Sequence, residues 1–160
     1  GFLNDDNGFI KRYCNDNGLD LIEISESTEL PSQFSHAILF EDRDSYSDLK
    51  ASFRESNIPT RVVPLKLTLV VNRDKGDDYD VYIGRGSSWG NPYRIGHDGD
   101  REEVIRKYDY DFQRKFLRAF DNFEENSKKV KGKILACHCK PYACHGDVIA
   151  KFFNSIDDGL

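Results

Sequence analysis

Apolar and polar positions change their spacing along the chain, and the changes mark its elements. Leu19 to Ile24 alternates with branched residues at every second position, and His36-Ala37-Ile38-Leu39-Phe40 is a short continuous apolar run of the kind buried in a parallel sheet. The polar stretch Ser25 to Ser35, with Pro31, is a loop between them. Asp44 or Ser45 is placed to cap a helix with Leu49 and Phe53 on one face, ending near Asn57 before Pro59. Arg61-Val62-Val63 then starts another strand, so the order predicts a βαβ unit with a parallel pair and a right-handed crossover.

Leu65 to Asn72 and Tyr79 to Ile83 read as two further strands across the polar turn 73–78. Gly84 to Gly99 is a glycine-rich loop holding Pro92 and the chain's one tryptophan, Trp89. Asp100 can cap the next helix, with Glu102 and Glu103 in its first turn. Val104, Ile105, Tyr108, Phe112, Phe116, Ala119, Phe120 and Phe123 recur at three and four residues, which predicts one continuous helix of about five turns. Beyond Gly132, Lys133 to Cys139 is a strand, and Cys144-His145-Gly146-Asp147 opens a last helix with Val148, Ile149, Phe152 and Phe153 on its face. The expected architecture is α/β, a single compact Rossmann-like domain whose mostly parallel sheet is flanked by helices. Within it, residues 1–64 form a support segment and residues 65–160 carry the chemistry.

Charge divides the chain at nearly the same place. Residues 1–60 hold five Lys/Arg against twelve Asp/Glu, and residues 61–160 eighteen against sixteen, so the net of −5 belongs to the first part. The second part is where an anionic ligand is tolerated, and neither part has the basic balance of a protein that grips long nucleic acid. No apolar run reaches the roughly 18 residues of a membrane helix, and no positive patch precedes an apolar stretch as in a signal peptide. The absence of methionine points to an upstream segment. Cys137, Cys139 and Cys144 fall within eight residues while Cys14 stands apart, a clustering that suits reduced thiols in a cytoplasm, a metal site or a catalytic site rather than a disulfide framework.

Two segments concentrate chemistry. In Ala136 to Asp147, an extended strand would point Cys137 and Cys139 to one face and His138 to the other, and Pro141 would turn the chain toward the helix start at Cys144, His145 and Asp147. Unpaired N–H groups there stabilise a thiolate or a phosphate. Cys137, Cys139, Cys144 and His145 could instead hold zinc, although C-x-C-x4-C-H is not a usual zinc spacing, or the cysteines could simply be small buried hydrophobes. No cofactor is required, and zinc remains an alternative. In Gly84 to Tyr93, glycines let amides approach a ligand, Arg85 can clamp a phosphate, Ser87 and Asn91 can hydrogen-bond it, and Trp89 or Tyr93 can stack on a base; equally, Trp89 can plug the core. Asn72 and Arg73, at a strand end, could reach the same pocket. His36 reads as a packed or surface histidine, and the acidic residues of 41–48 as a solvated loop.

The run Val70-Val71-Asn72-Arg73, Tyr82-Ile83-Gly84-Arg85-x-Ser87-x-Trp89-Gly90-Asn91-Pro92, Arg101-Glu102-Glu103 and Cys137-x-Cys139-x-Pro141-x-x-Cys144-His145-Gly146-Asp147 resembles a domain-of-unknown-function family of bacteria and their phages, over residues 66–154. Gly86 stands where the resemblance expects proline, and Tyr93 where it expects phenylalanine. His36 to Phe40, the following helix and Ile58 to Val63 resemble the last βαβ unit of the SLOG superfamily of Rossmann-like nucleotide-binding domains. The glycine-rich phosphate loop of those domains and the Pro-Gly-Gly motif of their phosphoribohydrolase members are absent. The resemblance implies a nucleotide-like small-molecule ligand, and it leaves a homo-oligomer open. It supports a small enzyme acting on a nucleotide, nucleoside or phosphorylated sugar, with cleavage or transfer at an N-glycosidic bond. Asp147 or His145 would then be the acid/base, and Arg85 with Cys139 and Cys144 at the helix start would hold the ligand. The alternatives are a module that binds a nucleotide signal without converting it and a zinc-stapled interaction domain.

Overall fold

The computed structural model describes residues 9–20, 34–44 and 46–156. By contact the chain divides into two compact units, Gly1–Leu39 with Tyr46–Val62, and Phe40–Ser45 with Val63–Leu160. The expected strand at Leu19 to Ile24 and most of the loop after it lie outside the described residues.

The first unit carries helix α1 (Phe9–Asp16) and helix α2 (Ser47–Glu55); strands β1 (Ala37–Asp42) and β2 (Thr60–Leu65), hydrogen-bonded side by side, each begin in the first unit and end in the second. The apolar run expected to be buried on both faces instead alternates: Leu39 is buried while Ile38 and Phe40 are exposed, because a two-stranded sheet leaves one face uncovered. Helix α2 buries Phe53 and starts after Tyr46, which makes no side-chain cap. Asp44, expected as a cap, takes a left-handed φ of 59° outside the helix, and Ser45 lies outside the described residues. The helix stops as anticipated near Asn57, whose φ of 53° lets the Asn57 and Ile58 N–H groups donate back to the Arg54 and Phe53 carbonyls.

The second unit is built on three parallel strands in the order β3 (Leu69–Asn72), β5 (Ile134–Cys137), β4 (Val81–Tyr82). The molecule is thus α/β with parallel strands flanked by helices, and its described strands form two small sheets in place of one. Leu135, Ala136 and Cys137 of the central strand are all buried, as a strand covered on both faces requires. Register pairs Asn72 with Cys137 and Tyr82 with Ala136, which brings three carboxyl ends level.

Helix α3 (Arg101–Gln113) begins at Asp100, whose side chain accepts from the Glu103 N–H at 2.9 Å. The five-turn helix predicted from periodicity is instead broken in three: α3, a 3-10 turn at Arg118–Phe120, and α4 (Phe123–Val130). Lys115 adopts φ 62°, and the Lys115 and Phe116 N–H groups close onto the Phe112 and Asp111 carbonyls, ending α3. Phe116, counted in the stripe, lies 71% exposed at this turn. Beyond it Leu117, Ala119 and Phe120 return to the core, so an apolar spacing of three and four was produced by helix, turn and helix together.

Helix α5 (His145–Asn154) covers the sheet, and Gly146 makes that approach possible: a Cβ there would lie 2.8 Å from Ile83 and 2.9 Å from Val70 side-chain atoms. Its far end is fastened by Asn154, which exchanges two hydrogen bonds with the Thr68 backbone at 2.8 and 3.0 Å. No helix among the described residues is long and apolar enough to cross a membrane.

Candidate functional site

The level carboxyl ends of β3, β4 and β5 are where ligands of open α/β sheets bind, and here they support a cavity of about 140 Å³. Arg85, Asn91 and Tyr93 of the glycine-rich loop line it together with Arg101 at the start of α3, with Cys137 to Cys139 and with Ala143 to His145. Two motifs nearly fifty residues apart in sequence therefore share one cavity.

The loop holds its shape by its own backbone. Ser87 Oγ donates to the Gly84 carbonyl at 2.9 Å, and Gly86 takes φ 100°. A Cβ on Gly90 would lie 2.6 Å from the Gly84 oxygen, so only glycine permits the chain to cross itself there. Asn91 bridges inward: its amide donates to the Val104 carbonyl at 3.1 Å and its oxygen accepts from the Tyr93 N–H at 2.9 Å. Tyr93 donates its hydroxyl to Asp111 at 2.6 Å, which raises the phenol's pKa by penalising the phenolate. Ser87 and Asn91 thus shape the loop, and Ser87 does not reach the cavity wall.

Trp89 does not stack on a ligand from this position. It is 2% exposed, in ring contact with Phe112, Phe123 and Phe153, and it accepts the Tyr108 hydroxyl on its carbonyl at 2.8 Å. Its indole N–H has no hydrogen-bond partner among the described residues, the residual cost of using an indole as a core plug.

On the other wall, β5 ends at Cys137, so the alternation expected through Cys139 does not persist, and Cys137, His138 and Cys139 all border the cavity. Asn72 fixes this turn: it accepts from the Asp74 N–H at 2.7 Å and donates to the carbonyls of His138 and Lys140. Asn72 is buried in that role, and Arg73 packs its guanidinium 4.8 Å from the Tyr82 ring centre; neither lines the cavity.

His138 joins a chain of three groups that the residue patterns did not reveal. Its Nδ1 lies 2.7 Å from Asp74 and its Nε2 3.1 Å from the Tyr82 hydroxyl. A carboxylate only accepts, so Nδ1 carries a proton, and in the neutral imidazole Nε2 then accepts from the tyrosine. Gly84 provides the room: a Cβ there would stand 2.0 Å from the Tyr82 hydroxyl oxygen. Arg101 is the other unforeseen wall residue, donating to the Ala143 carbonyl at 3.1 Å. The signal for Tyr82 and His138 was register, since both sit where adjacent parallel strands end.

The two residues expected as acid/base are engaged otherwise. Asp147 does not line the cavity; its carboxylate accepts from the Cys144 N–H at 2.8 Å and pairs with Lys140, closing the first turn of α5. His145 is buried, with Nε2 2.8 Å from the Ile83 carbonyl and its ring 5.1 Å from that of Tyr108. The Cys137 thiol is pushed up to about 11 by its hydrogen bond with Cys144 and by burial, whereas the same bond lowers Cys144. Burial raises Cys139, against the pull of Arg101. Cys137, Cys144 and His145 bring their ligating atoms within 4.8 Å of one another, a set that could hold a metal ion.

Residues 70–155 match the family described as Domain of unknown function (DUF4326). The chain belongs to the DUF4326 family. Its residues 1–71 match the minimal SLOG domain, a Rossmann-like type. Over 92 residues, 57% of this chain, it is 39% identical to the "Uncharacterized 12.4 kDa protein in nrdA-td intergenic region" of Enterobacteria phage T4, of which 82% is covered. No solved structure matches the chain. The SLOG-type match suggests a nucleotide-related function for this DUF4326 chain without naming an activity.

Proposed function

We propose that this DUF4326 protein is a small enzyme that binds a nucleotide or related phosphorylated sugar in the cavity and cleaves or transfers at its N-glycosidic bond. The observation that carries the reading is the convergence of Arg85 and Arg101, from separate segments, on one cavity that also takes in the start of α5. Two guanidinium forks and a helix N-terminus form an anion cradle suited to phosphate, and Tyr93 supplies an aromatic face beside it. The SLOG-type match supports a nucleotide-like ligand. Four free cysteines suit a reducing compartment such as the cytoplasm.

His138 is the group with acid/base capacity on the wall. Asp74 fixes its tautomer and Tyr82 occupies its Nε2 until a ligand displaces the hydroxyl. The Tyr82 hydroxyl then donates its proton to the leaving base as the N-glycosidic bond breaks, while Arg85 and Arg101 hold the phosphate. A water, or an acceptor hydroxyl in transfer, bonds the sugar carbon and gives its proton to His138 Nε2, and that proton returns to the tyrosine.

Incubation of the purified chain with pooled nucleoside mono- and diphosphates, with released base read by mass spectrometry, tests this. Turnover is expected, with Arg85→Ala and Arg101→Ala each raising KM roughly 10- to 100-fold, as charge-assisted hydrogen bonds imply. His138→Asn lowers kcat by about 10²–10⁴. A nucleotide bound and recovered intact would instead favour a sequestering module, and no binding of any nucleotide would remove the reading.

A further inference from the structure

Three wall residues are left unused by that chemistry. Cys137 is the last residue of β5, Cys144 the N-cap of α5 and His145 its first residue, so two rigid elements bring them together. All three side chains are buried, all three border the cavity, and their ligating atoms lie within 4.8 Å of one another. The hydrogen bond from His145 Nε2 to the Ile83 carbonyl settles the tautomer: a carbonyl oxygen only accepts, so Nε2 carries the proton and Nδ1 keeps its lone pair.

A ring held through its distal N–H by a backbone carbonyl is the arrangement a metal-ligating histidine adopts. Two thiolates and an imidazole select a borderline-soft divalent ion over Mg²⁺ or Ca²⁺, and the two thiolate charges balance the dication. Tetrahedral Zn–S and Zn–N bonds would separate such ligands by about 3.5–3.8 Å, so the cluster must contract by at most about 1.3 Å. Cys139 borders the cavity but stands outside the cluster.

We propose that Cys137, Cys144 and His145 bind one Zn²⁺ whose fourth coordination position opens on the cavity. Three protein ligands with one open position are the pattern of a catalytic site, whereas a structural zinc is closed by four. The open position takes a water or an oxygen or nitrogen atom of a bound ligand. Asp147 and Lys140 are positioning residues, since the carboxylate holds the Cys144 backbone where its thiol faces Cys137. The site needs no nucleotide to exist, and it stands or falls apart from the N-glycosidic reading.

The full chain, purified under reducing conditions, is titrated with Zn²⁺ against a chromophoric chelator, and with Co²⁺ followed by absorbance. One equivalent of zinc is expected, together with a thiolate-to-cobalt charge-transfer band and the visible bands of a tetrahedral ion. Added azide or cyanide shifts those visible bands because one position is open. Cys137→Ser and Cys144→Ser each weaken zinc by at least about 100-fold, the upper range for disturbing even an outer-shell partner, while Cys139→Ser and Cys14→Ser change it less than about threefold. Absence of stoichiometric zinc and of the charge-transfer band overturns the site, as does full occupancy in the Cys137→Ser/Cys144→Ser double variant. Loss of binding in Cys139→Ser, or cobalt bands indifferent to azide and cyanide, would mean a closed four-ligand site and overturn the open position. Should the cysteine variants not fold, the cobalt spectrum of the unaltered chain decides.

Discussion

Gly84 and Gly146 are both glycines without a left-handed φ, and both are required by what stands where a Cβ would go. The obstacle differs, and so does the expected outcome. At Gly84 it is the hydroxyl end of the Tyr82 ring, which can swing outward. Gly84→Ala is therefore expected to cost stability no more than about 1 kcal/mol while parting Tyr82 from His138, an effect read as a changed His138 ring ¹⁵N chemical shift at fixed pH by NMR. An unchanged shift would mean that Gly84 does not set the tyrosine's position. At Gly146 the obstacles are Ile83 and Val70 side chains packed between α5 and the sheet, so Gly146→Ala is expected to lower stability by about 1–3 kcal/mol in urea unfolding. At this scale the site was partly legible. A glycine-rich loop with Arg85, Asn91 and Tyr93 stands out by composition, and the loop does bring those three to the cavity. Trp89 in the same loop plugs the core, because a single sequence does not say which way a ring faces. Tyr82 and Arg101 stand in the run that carries the family resemblance, but no local pattern assigns them or His138 to the cavity, since their shared place depends on strand register and on where β5 ends.

The elements themselves were read well where one physical rule governs them and poorly where two rules give the same spacing. Asp100 begins α3 as its side chain predicts, and β3, β4 and β5 lie near the expected apolar runs. The long amphipathic pattern from Val104 to Phe123 failed at one residue. Lys115 in a left-handed conformation stops α3, and no residue pattern demands a turn there, because lysine is a good helix former. Its strain offers a test: an L-residue pays about 1–2 kcal/mol for that conformation, so Lys115→Gly is expected to stabilise the protein by around 1 kcal/mol in urea unfolding. Were the helix continuous in solution, the same change would destabilise by about 1 kcal/mol, so the sign alone discriminates. Phe116→Ser at the exposed turn is expected to stay within about 0.5 kcal/mol, against about 3–5 for Phe112→Ala in the core.

At the scale of the molecule, the described aromatic core and the candidate cavity both belong to the second compact unit. The T4 relative is a 12.4 kDa chain against 18.4 kDa here, so a protein of this kind exists with much less chain. We infer that residues 63–160 fold alone. Trp89 is the one tryptophan and sits inside that unit, which makes its near-UV circular dichroism a direct report of the core. The fragment is expected to keep that signal and to melt cooperatively, at a lower temperature than the full chain. The deficit has a named source: Arg43, from the short segment that packs with the second unit, donates to the Leu67 and Gly132 carbonyls at 3.1 Å each, and Asp42 accepts from the Leu67 N–H at 3.3 Å. Hydrogen bonds to charged groups contribute about 1.5–3 kcal/mol when partly buried and less when exposed, so Arg43→Ala in the full chain is expected to reproduce much of the fragment's loss, near 1–2 kcal/mol. A fragment without near-UV ellipticity would show that the acidic N-terminal part is needed for the core to form, and would move the boundary of the folding unit to the whole chain.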